Sequence, residues 1–129
     1  MSFTIVTNNK KVFNFFKETD EVVLLENEDI CRVLAEVYKC ILKGHKLLSD
    51  PIIYNLENSN NPFKSIIVSK DFTAENGISL NLIKGALNIG RKLPEISMEN
   101  ISEENLEEYK FIDLNLLINS IKELKNLNL

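Results

Sequence analysis

The chain has no tryptophan, one histidine, two cysteines, three prolines and four glycines in 129 residues, and each scarcity removes a class of chemistry. One histidine without a cysteine cluster cannot assemble the usual zinc sites. The cysteines, Cys31 and Cys40, fall in what reads as one helix. Nine residues of helix rise about 13 Å and turn about half a revolution, so the two thiols face apart, beyond the Cα limit of about 7 Å for a disulfide. They form no CxxC pair, and inert thiols are expected. The glycines make neither GxGxxG nor GxxxxGK[ST], which argues against a standard nucleotide-binding enzyme. GxSxG is missing too, and with it the usual strained serine of a Ser-His-Asp hydrolase. No apolar run approaches the roughly 18 residues of a membrane span. "MSFTIVTNNKK" places its apolar run before its lysines, the reverse of a secretory signal, so a cytoplasmic protein is expected. Positive charge is also short: 15 Lys and Arg against 19 Asp and Glu leave a net charge of −4. Phosphate neutralisation needs the opposite balance, so nucleic acid is not an expected partner.

What is present reads as a single α/β domain over residues 1–129, a length that buries a sizeable core without a staple. "FTIVT" (3–7) is a β-branched strand ending at Asn8 and Asn9, which can cap a helix. "KKVFNFFK" follows as a short helix with Val12, Phe13 and Phe16 on one side, and "EVVLLE" (21–26) as a second strand. From Ile30 the apolar positions Val33, Leu34, Val37, Tyr38, Ile41 and Leu42 keep helical spacing for three turns. Gly44 fits the left-handed position just past that helix, and Lys39 and Lys43 suit its C-terminal dipole. "HKLLS" is at best a short third strand, and "KSIIVSK" (64–70) a stronger one. Between them runs a connection of about fifteen residues stiffened by Pro51 and Pro62, either pairing back through "PIIY" or forming a long functional loop.

"LNLIKGALNIGRKL" predicts a helix with Leu82, Ile83, Ala86 and Leu87 inward and Leu93 as a further candidate for that face, stopped by Pro94. Ser102 with Asn105 starts another, and Asp113 caps a last one carrying Leu114, Leu117, Ile118, Ile121 and Leu124. From Pro94 onward eight acids face three bases, so this part reads as an acidic helical cover. The pattern predicts a small, mostly parallel sheet of about four strands covered by helices, with a C-terminal helical tail.

Three features invite a functional reading. "TNN" (7–9) lies at the carboxyl end of the first strand, where open α/β sheets bind ligands and where free N–H groups of a helix start favour an anion. Ordinary capping by Asn9 accounts for the same residues. His45 is a candidate general base, with Ser49 or Asp50 to orient it, or else a residue that satisfies free carbonyls behind a helix C-cap. The acids "EEN" and "EEY" near 103–109 are a magnesium site only on a carboxylate-only scheme, and otherwise a solvated helix face.

"TNN" after the opening strand and "KGHKLLSDP…NPFKS" after the amphipathic helix together resemble the GrdX-like proteins, small chains encoded with the glycine reductase system of amino-acid-fermenting anaerobes. The resemblance covers most of the first 70 residues and lies in Gly44, His45, Leu47, Leu48, Pro51, Pro62, Lys64 and Ser65. The family pattern usually places a proline after the two asparagines, where this chain has Lys10. It usually has a histidine before the first loop proline, where this chain has Asp50. The resemblance implies an anaerobic, cytoplasmic accessory protein of amino-acid reduction, not a catalytic subunit.

The resulting expectation is a non-catalytic protein that needs no cofactor. It binds a glycine reductase component or a small anion through Asn8, Asn9, Gly44, His45, Lys46, Lys64 and Ser65, gathered along one rim of the sheet, with the 50–64 loop as recognition element. Ser69 and Lys70 join that rim if their strand is parallel to the first. The alternative is a small enzyme using His45 as general base with Asp50. A third reading is a homo-oligomer paired through the acidic C-terminal helices.

Overall fold

The computed structural model describes residues 2–51, 60–94 and 96–127. In chain order the elements are β1 (Phe3–Thr7), α1 (Lys10–Phe16), β2 (Glu21–Leu24), α2 (Ile30–Leu42), β3 (Ser65–Ser69), α3 (Gly77–Lys92), a single 3-10 turn (Met98–Asn100) and α4 (Glu103–Leu127). The sheet has three strands in the order β2-β1-β3. β2 is parallel to β1 through the α1 crossover, and β3 is antiparallel to it, with Thr7 opposite Ser65 and Phe3 opposite Ser69. The expected four mostly parallel strands are therefore corrected to a mixed sheet of three.

The path after α2 explains the reversal. "HKLLS" forms no strand, only a bridge between Leu47 and Val68, supported by Ser69 N–H to Lys46 O and Leu48 N–H to Ile67 O. This extended segment runs antiparallel to β3, so it already carries the chain back to the carboxyl end of β1. β3 must then run the other way. The "PIIY" segment lies outside the described residues apart from Pro51.

Period-two alternation divides the core into two layers. Val6, Ile66 and Val68 face α2 and α3, where Val33, Leu34, Val37, Ile41, Ile83, Ala86 and Leu87 pack on them. Phe3, Ile5 and Ile67 face α1 and α4, meeting Val12, Phe16, Leu114, Leu117 and Ile121. Helices thus cover both faces.

Local chemistry sets the ends of the elements. Asp29 caps α2 by accepting from Arg32 N–H. The other end closes with Gly44 N–H to Ile41 O and His45 N–H to Cys40 O, a two-bond closure that demands a left-handed residue, and Gly44 has φ 112°. One boundary and one helix face depart from the sequence reading, while the start of α4 at Ser102 agrees with it. Ser102 caps α4 by accepting from Asn105 N–H, and the helix continues through Asp113, which is buried in its middle and caps nothing. Leu82, expected inside, is half exposed, Leu93 is exposed as well, and Gly90 takes an inward place.

Candidate functional site

The carboxyl end of β1 is a polar junction inside the molecule. Thr7 and Ser65 are register partners, and alternation points both toward α4. Ser65 Oγ donates to Asp113 Oδ2 at 2.7 Å. Its one proton is then used, so the 2.7 Å contact between Thr7 Oγ1 and Ser65 Oγ has Thr7 as donor. Thr7 Oγ1 in turn accepts from Asn9 N–H at 2.9 Å. Asn9 Oδ1 caps α1 by accepting from Lys11 N–H, while its amide donates to Lys110 O and to Asp113 Oδ2. Asn9 is fully buried and Asp113 nearly so.

Asn8 works on the other side of the same rim. Its amide donates to Glu28 O and Pro62 O, both at 2.9 Å, and its Oδ1 accepts from Lys64 N–H. Asn61 repeats the device, accepting from Phe63 N–H and donating to Tyr109 O. These asparagines staple the 61–64 segment, the β2–α2 turn and α4 onto the end of β1. Both amide hydrogens of Asn8 and of Asn9 are consumed internally, so the rim's polar groups build the site's wall.

The electrostatics follow from burial. Burial pushes the Asp113 carboxyl above the usual carboxylate range, against the pull of hydrogen bonds from Asn9 and Ser65 and of the Lys64 charge. Burial pushes the half-buried Lys64 ammonium down, against Asp113 and Asp50. The anion expected at the start of α1 is thus supplied by the chain itself, as the Asp113 carboxylate bonded to the capping asparagine.

Beside this junction opens a groove of about 980 Å³. One wall is the β2–α2 turn and the first residues of α2, Asn27 to Cys31; the other is the end of α3 and the segment after it, Gly90, Arg91, Leu93, Pro94 and Ile96 to Glu99. Asn60 and Pro62 contribute from the long connection. Arg91 brings positive charge to a lining that also holds Glu28, Asp29 and Glu99.

His45 is not on this rim. Its Nδ1 lies 2.7 Å from Ser69 O, and a carbonyl only accepts, so Nδ1 carries the proton. The ring lies against Phe72, with centroids 4.6 Å apart. Gly44 and Lys46 are held there too: Gly44 O accepts from Thr73 N–H, and Lys46 N–H donates to Ser69 Oγ. Ser65 and Ser69 are the two ends of β3, about 13 Å apart at roughly 3.3 Å per residue. The expected single rim is therefore two places, with Asn8, Asn9, Lys64 and Ser65 at one end of the sheet and Gly44, His45 and Lys46 at the other. Antiparallel β3 also sends Ser69 and Lys70 to the His45 end.

Asp50 does not orient His45. The extended 46–49 segment separates them by about 16 Å of chain at that rise, and the charge of Asp50 is felt by Lys64 instead. Ser49, the other candidate, accepts from Ile67 N–H on β3. Most of the 50–64 loop, residues 52–59, lies outside the described residues.

Sequence reasoning included Thr7 in "TNN" but missed Asn61, Arg91 and, above all, Asp113. For Asp113 a signal existed: it occupies the apolar stripe of α4 one turn before Leu117, where an acid has no ordinary reason to be. Glu103, Glu104, Glu107 and Glu108 are exposed, and Glu107 pairs with Lys11 and Lys110. Among the described residues no group of three or more His, Cys, Asp or Glu is placed to hold a metal ion. Cys31 and Cys40 are not joined in a disulfide, and burial and Glu36 push the Cys40 thiol up. No described helix is long and apolar enough to cross a membrane.

A search of the curated proteins and one of the solved structures returned no match. The family model described as GrdX-like protein matches residues 4–122, a span that takes in β1, the Asn8–Asn9 junction, both walls of the groove and most of α4. The chain belongs to the GrdX-like family.

Proposed function

We propose that this chain is a non-catalytic accessory protein of the glycine reductase type. On this reading it binds a partner segment or a small anionic ligand in the groove between the start of α2 and the end of α3. The observation that carries the reading is the groove itself, at the carboxyl ends of the parallel pair β1 and β2 and within the size range of ligand sites, about 300–1,000 Å³. Family membership supports the accessory role. The rim residues support it by what they already do: Asn8 is committed to holding Glu28 and Pro62 of the groove's lining and Asn9 to holding α4, which suits a preformed receptor more than an acid–base site. Arg91 is the cation that meets an anionic group, and Glu28, Asp29 and Glu99 select against ligands carrying several negative charges.

The test is an amide chemical-shift titration of the labelled chain with purified glycine reductase components and, separately, with small carboxylates and phosphate. Shifts confined to residues 27–31 and 90–98, reduced by Arg91→Glu, support the reading. Absence of shifts with every titrant, or shifts centred on His45 and Ser69, count against it.

A second reading rests on one observation. The bond to Ser69 O fixes the proton of His45 on Nδ1 and leaves Nε2 as the basic nitrogen, the arrangement a general base requires. Its orienter would be a backbone carbonyl, not Asp50. Substrate-induced shifts at His45 that vanish in His45→Gln distinguish this reading from the first.

A further inference from the structure

Helix α3 is apolar on two sides. Ile83, Ala86, Leu87 and Gly90 form its inner side against α2 and the sheet. On a separate stripe Ile78, Leu82 and Ile89 are 80%, 50% and 52% exposed, and Gly85 among them has open space where a Cβ would point. The spacings of four, three and four residues are those of a coiled-coil seam. Leu93, 37% exposed, follows the helix directly and extends the stripe. Single surface aliphatics are ordinary, whereas a continuous seam on an outward face marks a contact.

The seam is self-complementary. If two copies of α3 lie antiparallel with a two-fold axis beside Gly85, Leu82 meets Ile89 of the second copy and Ile78 meets Leu93 of the second copy. Gly85 then falls at the crossing, where the lack of a side chain lets the helices approach closely. Charge selects the same orientation. Asp71 and Glu75 precede and flank the start of the helix, while Arg91 and Lys92 form its last turn. Antiparallel pairing sets the acidic end of one copy on the basic end of the other and opposes the two helix dipoles, whereas parallel pairing sets like on like.

We propose that the chain forms a two-fold dimer through the outer face of α3. Such a contact is isologous, so each residue of the seam is used twice. A helix of sixteen residues spans about 24 Å, which places the interface at the small end of stable contacts and makes dimerisation concentration-dependent. The seam meets the groove at Leu93, whereas Ile78, Leu82 and Ile89 lie outside the groove's lining.

Sedimentation velocity of the full chain from low micromolar to millimolar concentration tests it. The 14.8 kDa species is expected to pass to twice that mass. Leu82→Glu and Ile89→Glu are each expected to raise the dimer Kd by about a hundredfold or more, with unchanged circular dichroism because both positions are half exposed. Glu75→Lys and Lys92→Glu each weaken association about tenfold, and the double variant recovers it. Phe111→Glu, on the exposed side of α4, leaves association unchanged. A chain that stays monomeric to millimolar concentration overturns the proposal. So does a dimer that survives Leu82→Glu or disperses on Phe111→Glu. Failure of the charge-swapped double variant to recover overturns the antiparallel orientation.

Discussion

Replacing Asp113 with alanine tests whether the buried junction holds α4 on the sheet. The carboxylate accepts from Asn9 Nδ2 and Ser65 Oγ, and the backbone N–H of Ser65 also favours its charged form. Without it, the Ser65 hydroxyl can turn toward Thr7, but Thr7 then loses its own acceptor, so one hydroxyl proton is stranded either way. Two to three donors are left without partners, each costing about 1–3 kcal/mol when buried. Relief from burying a carboxylate offsets part of this, leaving a net loss of about 3 kcal/mol, a large share of the ~5–15 kcal/mol that holds a domain. Urea unfolding reads it directly: with m near ~2 kcal/mol/M the midpoint falls by about 1.5 M. Asp113→Asn keeps an acceptor oxygen and is expected to cost less than half as much. An alanine variant within about 1 kcal/mol of the parent, or equal costs for both variants, would refute the assignment of Asp113 as the acceptor on which the junction converges.

The same residue gives a pH signature with a definite sign. Because its folded pKa is raised, the folded chain holds this proton more tightly than the unfolded chain does. The stability it contributes is complete below the ordinary aspartate value of about 3.9 and is lost as pH rises through the folded value. Asp113→Asn removes that loss. The stability difference between parent and variant should therefore move against the parent as pH climbs from about 4. Parallel pH profiles would contradict the burial argument.

Three further outcomes are expected. Lys64→Met removes the positive charge facing Asp113 and should push its carboxyl still higher, read as a shifted carboxyl-carbon NMR titration; an unchanged titration would show that Lys64 exerts no field there. Asn8→Ala strands Lys64 N–H and frees Glu28 O and Pro62 O, at a cost of about 2–4 kcal/mol, with faster hydrogen exchange in residues 62–65 as the local marker. Gly44→Ala forces a side chain into φ 112° with its Cβ 3.1 Å from Phe72, and should cost about 1–2 kcal/mol by thermal unfolding without altering the groove.

Elements written in short-range chemistry were legible in the residues. The helical spacing from Ile30, the Gly44 end of α2 and the β-branched run of β1 need only neighbours along the chain, and each stands where that spacing puts it. The direction of β3 was not legible, because it depends on whether the stretch after Gly44 crosses back in extended form, and the weak "HKLLS" pattern does not announce one bridge to Val68. His45 is parted from the asparagines earlier, by α2 returning the chain to the amino end of β1, and the reversal of β3 then sets Lys64 and Ser65 beside the asparagines and Ser69 beside His45. Asp113 was misread for a related reason: an aspartate before an apolar run is a good cap in isolation, and only its partners, 104 and 48 positions upstream, make it an internal anchor. Leu82 looked inward because α3 carries two apolar stripes, and periodicity alone does not say which one meets the sheet.

The distance along the chain between Asn9 and Asp113 has a consequence for how the molecule is made. During synthesis the central strand emerges first and its partner β3 much later, yet neither can shield Ile5 and Ile67 until α4 has left the ribosome. Val12 and Phe16 of α1 cover part of that face early, but the part that Leu114, Leu117 and Ile121 cover stays open until α4 emerges. Slow elongation between the codons of β3 and those of α4 should therefore lower the soluble yield more than slow elongation across the codons of β1.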